Sequence, residues 1–140
     1  VRIARVQTDL SETFLTSSRL AVASGAATIA CPSRGDGCEN SIDWSHGWLV
    51  FADVDGDRRF GPRDTLVKRF AAMAGGVRLH STQGRPRVVF QADGDNAGSN
   101  VTFAVCAPRS GQAGVLVLSN AGRFRLDAAT PAQRQSCASG

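Results

Sequence analysis

No apolar run in this 140-residue chain approaches the roughly 18 residues that a membrane-crossing helix needs, and no charged leader followed by an apolar stretch resembles a signal peptide. A phosphate-cradling Walker loop and a dinucleotide fingerprint are also missing, which removes the usual signatures of nucleotide-dependent enzymes. His46 and His80 are the only histidines, and no serine stands in a Gly-x-Ser-x-Gly elbow beside either. Each histidine reads as a surface or satisfied residue. No pair of carboxylates singles itself out for glycoside hydrolysis. The chain therefore reads as a non-enzyme without a cofactor. No internal repeat is evident, and lysine is almost absent: Lys68 is the one lysine among 16 basic residues.

What remains is the composition of one folded domain. Hydrophobic residues make up 42% and charged residues 20%, close to globular averages, and the length suffices to bury a core. The formal charge of +4 allows a polyanionic partner without demanding one. The opening Val1-Arg2-Ile3 is what a mature or truncated chain would show.

Four cysteines, Cys31, Cys38, Cys106 and Cys137, include no Cys-x-x-Cys pair, which favours disulfides in an oxidising compartment over a zinc or redox site. Three connectivities exist. Cys31 with Cys38 is expected because Pro32, Gly35 and Gly37 let the short segment turn back, and Cys106 with Cys137 would tether the tail to a strand.

Apolar positions Ile3, Val6, Leu10 and Phe14, with Ala21 further on, recur at helical steps between charged residues, predicting an amphipathic helix over Ile3–Ala23 that Gly25 ends. Beyond it the period changes to two, broken by Gly, Pro, Asn and Asp clusters. Strands are predicted at Ala26–Cys31, Gly47–Ala52, Thr65–Phe70, Val77–His80, Arg87–Gln91, Val101–Cys106, Val115–Ser119 and Arg123–Leu126. Helix followed by strands gives an α+β fold, with the helix packed on mainly antiparallel sheets. Ala128–Gly140, small and polar, is expected to be loose apart from its cysteine.

Asp53, Asp55, Asp57 and Asp64 fall at the first, third, fifth and twelfth positions of a would-be calcium loop. Arg58 stands where that loop needs glycine, Asp64 replaces a longer glutamate, and Arg59 and Arg63 add positive charge. A strand-connecting turn with side-chain-to-backbone bonds is the preferred reading, so no metal ligands are assigned. Basic residues concentrate in two regions: eight from Arg58 to Arg87 with only Asp64 opposing, and Arg109, Arg123, Arg125 and Arg134 against Asp127. If side chains within a region converge, a phosphate backbone is the natural ligand; otherwise they form a solvated surface. In Gly122-Arg123-Phe124-Arg125, strand alternation would turn Phe124 into the core and both arginines to the other side, after a turn made by Gly122.

In order, these features resemble a known family. They are the amphipathic helix, Cys31-Pro32-Ser33 with Cys38, Gly47-Trp48-Leu49-Val50-Phe51-Ala52-Asp53, Val88-Val89-Phe90-Gln91-Ala92-Asp93-Gly94, Val101-Thr102-Phe103-Ala104-Val105-Cys106 and Ser119-Asn120-Ala121-Gly122-Arg123-Phe124-Arg125. The chain resembles the GspH/FimT family of type IV minor pilins and type II secretion pseudopilins over nearly its whole length. The resemblance implies a single pilin-like domain: residues 1–25 as the C-terminal half of the pilin helix, 26–127 as a β-rich head, and 128–140 as a tail tethered by a disulfide. The hydrophobic half of that helix, which would hold the protein in the inner membrane with a periplasmic head before assembly into a pilus, would precede Val1. Other minor and major pilins are the implied partners. FimT-like members look like DNA receptors for natural transformation, with a Gly-Arg-x-Arg motif that maps onto Gly122, Arg123 and Arg125. Arg109 and Arg134 are expected helpers by proximity in sequence alone. FimU-like and GspH-like members imply the alternative, a filament-tip or initiation subunit without DNA binding.

Overall fold

The computed structural model describes residues 2–73, 75–98 and 100–139, without the side chains of Arg2, Ala138 and Ser139; Val1 and Gly140, the ends of the expected helix and tail, lie outside this range. The first element is a long helix, α1 (Arg2–Ser24), which Gly25 closes by donating its N–H to the Ala21 carbonyl at 3.0 Å. Val6, Leu10, Phe14 and Ala21 are buried along one face. Thr13 and Ser17 complete that stripe, because their hydroxyls donate back to the carbonyls of Asp9 and Thr13, at 2.7 and 2.6 Å, and so enter the core satisfied. Among the described residues, no helix is long and apolar enough to cross a membrane.

Eight strands follow: β1 (Thr28–Pro32), β2 (Trp48–Ala52), β3 (Thr65–Phe70), β4 (Arg78–His80), β5 (Val88–Phe90), β6 (Val101–Ala107), β7 (Gln112–Leu118) and β8 (Phe124–Ala128). They form two antiparallel sheets, in the orders β3-β2-β1-β5 and β4-β6-β7-β8. The main core lies where α1 meets both sheets, joining Leu10 and Phe14 to Trp48, Val50, Phe90, Phe103, Leu116 and Leu118. The opposite face of the first sheet carries a second cluster of Ile29, Cys31, Leu49, Phe51 and Val89, against which Phe60 and Cys38 pack. Hence β1 and β2 are buried at every position and, after Thr28, read as apolar runs.

Polar anchors place the tryptophans. Trp48 Nε1 donates to Thr13 Oγ1 at 2.9 Å and Trp44 Nε1 donates to Ser81 Oγ at 3.1 Å. Gly47 turns into β2 with φ 105°, and a Cβ there would overlap the Phe70 carbonyl oxygen, so only glycine lets β2 and the end of β3 approach.

The tail departs from the expectation of a loose segment. It forms a second helix, α2 (Pro131–Ser139), bonded to β6 through Cys106 and Cys137, whose Cα atoms are 5.6 Å apart. Thr130 is its N-cap: the Gln133 N–H donates to Thr130 Oγ1 at 3.1 Å, and the Thr130 N–H donates to Gln133 Oε1 at 2.7 Å. Cys31 and Cys38 are also bonded, with Cα atoms 5.4 Å apart.

Candidate nucleic-acid interface

The segment that carries Arg123 is the tip of the β7–β8 hairpin. Its pairing ends at Leu118 opposite Phe124, and the chain reverses with the Gly122 N–H donating to the Ser119 carbonyl at 3.0 Å and the Ser119 N–H donating to the Arg123 carbonyl at 2.7 Å. Gly122 has φ 79°, the left-handed conformation that closes such a turn, and a Cβ on it would overlap the Gly94 carbonyl oxygen. The tip thus rests on the loop after β5. The same carbonyl accepts the Ser18 hydroxyl at 3.1 Å, and the Asn96 N–H donates to the Asn120 carbonyl at 3.0 Å, so contacts run from α1 through this loop to the arginine turn.

Phe124 is half-buried against Phe14, with ring centroids 6.3 Å apart, and alternation therefore directs Arg123 and Arg125 away from the core. Arg123 is exposed, and its guanidinium makes no ion pair or hydrogen bond among the described residues. Arg125 is engaged: its Nε donates to Asp127 Oδ2 at 2.9 Å, two positions along the same face, with the side chains 67% and 45% exposed. At that exposure an ion pair contributes about 0–1 kcal/mol, little enough for another anion to displace it. The adjoining loop adds two exposed carboxylates, Asp93 and Asp95.

The other basic residues do not gather at this tip. Arg109 sits in the β6–β7 turn, at the far end of β7, which across seven residues is about 20 Å from Arg123. Arg134 lies on α2, beyond the far end of β8, and donates through Nη1 to the Ala129 carbonyl at 2.7 Å. Neither expected helper joins the arginine pair. The earlier basic region also disperses: Arg69 lies on β3 and Arg78 on β4, edge strands of different sheets, and Lys68 pairs with Glu12. Arg85 donates through Nη2 to Asn96 Oδ1 and the Ala97 carbonyl, both at 3.0 Å, and burial pushes its pKa down. It braces the loop that supports Gly122, a positioning role that its place in a charge count hid.

The histidines assemble no nucleophile. His46 Nδ1 lies 3.7 Å from Asp43 Oδ2, and His80 forms a β-bridge with Asp43. Asp43 is held below its usual pKa: burial raises it, but hydrogen bonds from Ser45 and then the charges of His80 and His46 outweigh that. The Ser45 hydroxyl is occupied by the backbone of Leu79, whose N–H donates to it at 2.9 Å.

Comparison with known proteins agrees with this architecture. The family model described as Type II transport protein GspH matches residues 9–122, ending just before Arg123. No curated protein sequence matches. The type IV minor pilin FimU of Pseudomonas aeruginosa superimposes with a TM-score of 0.70 at 17% identity, over 89% of this chain and 87% of that one. The minor pseudopilin EpsH of the Vibrio cholerae Type 2 Secretion System superimposes with a TM-score of 0.63 at 12% identity, over 91% of this chain and 98% of that one. A helix laid on two antiparallel sheets is thus the pilin-like fold, and the chain belongs to the GspH family of minor pilins and pseudopilins, structural subunits of pilus-like filaments at the cell envelope.

Proposed function

We propose that this chain is a FimT-like minor pilin that captures DNA through the phosphate backbone, with Arg123 as the leading contact and Arg125 as the second. The observation that carries this reading is the exposed Arg123 guanidinium, without a partner among the described residues, on a turn braced by the Gly94 loop, with Arg125 also exposed two positions on. Two phosphate contacts give a salt slope of about −2 and no preference among sequences, so one head binds weakly and capture during natural transformation relies on several subunits. Asp127 competes with DNA for Arg125. Assembly with other pilins, and anchorage in the inner membrane by a hydrophobic helix preceding residue 1, complete the proposal.

The test is anisotropy titration of a labelled duplex at two salt concentrations. The Arg123→Gln/Arg125→Gln variant should lose binding with its fold intact, Arg109→Gln should bind as the parent does, and Asp127→Asn should bind severalfold more tightly. The Arg125–Asp127 ion pair favours a second reading, a tip or initiation subunit that meets only other pilins. Unchanged binding in the double variant, or no binding by the parent, decides for that reading.

A further inference from the structure

The loop from β2 to β3 folds four carboxylates together. Asp53, Asp55, Asp57 and Asp64 each place one ligand oxygen within 4.8 Å of the others. Asp53 is 3% exposed; its Oδ2 accepts the Arg58 N–H at 2.8 Å, whereas its Oδ1 is buried with no hydrogen-bond partner among the described residues. A buried carboxylate oxygen normally takes a donor, because stripping its water without replacement is costly. Asp55, Asp57 and Asp64, the carboxylates gathered with Asp53, have no proton to give when ionised, so a cation is a partner that suits the group.

We propose that these four carboxylates form a Ca²⁺ site. Oxygens on opposite sides of a Ca²⁺ ion stand about 4.6–5.2 Å apart, the span this cluster allows, and one oxygen from each of four carboxylates supplies half or more of the six to eight the ion takes. The objection raised by Arg58 falls away, since its φ of 61° supplies the left-handed turn for which such a loop ordinarily uses glycine. Asp64 ties the loop ends together, with Oδ1 accepting the Val54 N–H and Oδ2 the Gly61 N–H, both at 2.9 Å. Phe60 holds the loop to the sheet, its ring centroid 5.2 Å from that of Phe51. Three neighbouring arginines offset part of the negative charge, which places the affinity with the weak extracellular class, about 10⁻⁴–10⁻³ M.

The experiment is calorimetric titration of chelator-treated protein with CaCl₂, in parallel with MgCl₂, alongside thermal melts at matched ionic strength. One saturable Ca²⁺ site and a melting temperature that climbs with CaCl₂ are expected. Asp55→Asn/Asp57→Asn, two exposed positions whose amide oxygens keep the turn bonds, should weaken Ca²⁺ binding at least tenfold and leave the melt in chelator unchanged. No saturable heat with tens of millimolar CaCl₂, an equal response in the variant, or an equal response to MgCl₂ would each overturn the assignment.

Discussion

At Gly122 a single hydrogen fills the space where any other residue would drive a carbon into the Gly94 carbonyl, on a backbone already in the left-handed region. Gly122→Ala should therefore cost about 1–3 kcal/mol, visible as a lower denaturation midpoint, and should weaken DNA capture although both arginines remain. The exposure of Arg123 and Arg125 on either side of half-buried Phe124 is legible in the parity of the sequence, because alternation follows from backbone geometry alone. The Arg125–Asp127 pair obeys the same parity, yet charge counting had set Asp127 aside as one acid among four bases. Arg109 parts from Arg123 for another reason: the two stand at opposite ends of strand β7. No local pattern records that.

At the scale of elements, the first helix and strand β6 are legible in their period, whereas β1, β2 and β5, buried at every position, are legible as short and largely apolar runs between turn residues. The boundaries that moved are instructive. Strand β7 starts at Gln112, earlier than its apolar run, because pairing with β6 continues past the point where side chains meet the core. Helix α2 escaped notice because Cys137 is its one buried hydrophobic position among the described side chains, too little for a stripe; its signature is the Thr-Pro-x-Gln start instead. Replacing Thr130 with alanine should cost about 1 kcal/mol, with faster amide exchange confined to α2. In α1, Thr13 and Ser17 interrupt an apolar rhythm yet belong to the buried face. Trp48→Phe would remove the indole bond to Thr13, whose hydroxyl still donates to the Asp9 carbonyl, and would put a smaller ring in a filled core, so it should cost about 1–3 kcal/mol in chemical denaturation.

For the whole molecule, one helix serves two sheets, so the main apolar core is shared between them, with a second cluster behind the first sheet, while the tail depends on a covalent tie. The cysteines joining β6 to α2 are 31 positions apart, and closing a loop of that size stabilises by about 3–4 kcal/mol on the chain-entropy account. Cys106→Ser/Cys137→Ser should lower the melting temperature, with exchange rising first over residues 131–139. Strand β8 is the outer member of its sheet and leaves one side of its backbone unpaired. Lateral zipping between neighbouring heads at that margin would glue filaments into inert aggregates. Alternating Arg125 and Asp127 about exposed Leu126 guards against such fusion, so removing both charges should make concentrated solutions precipitate.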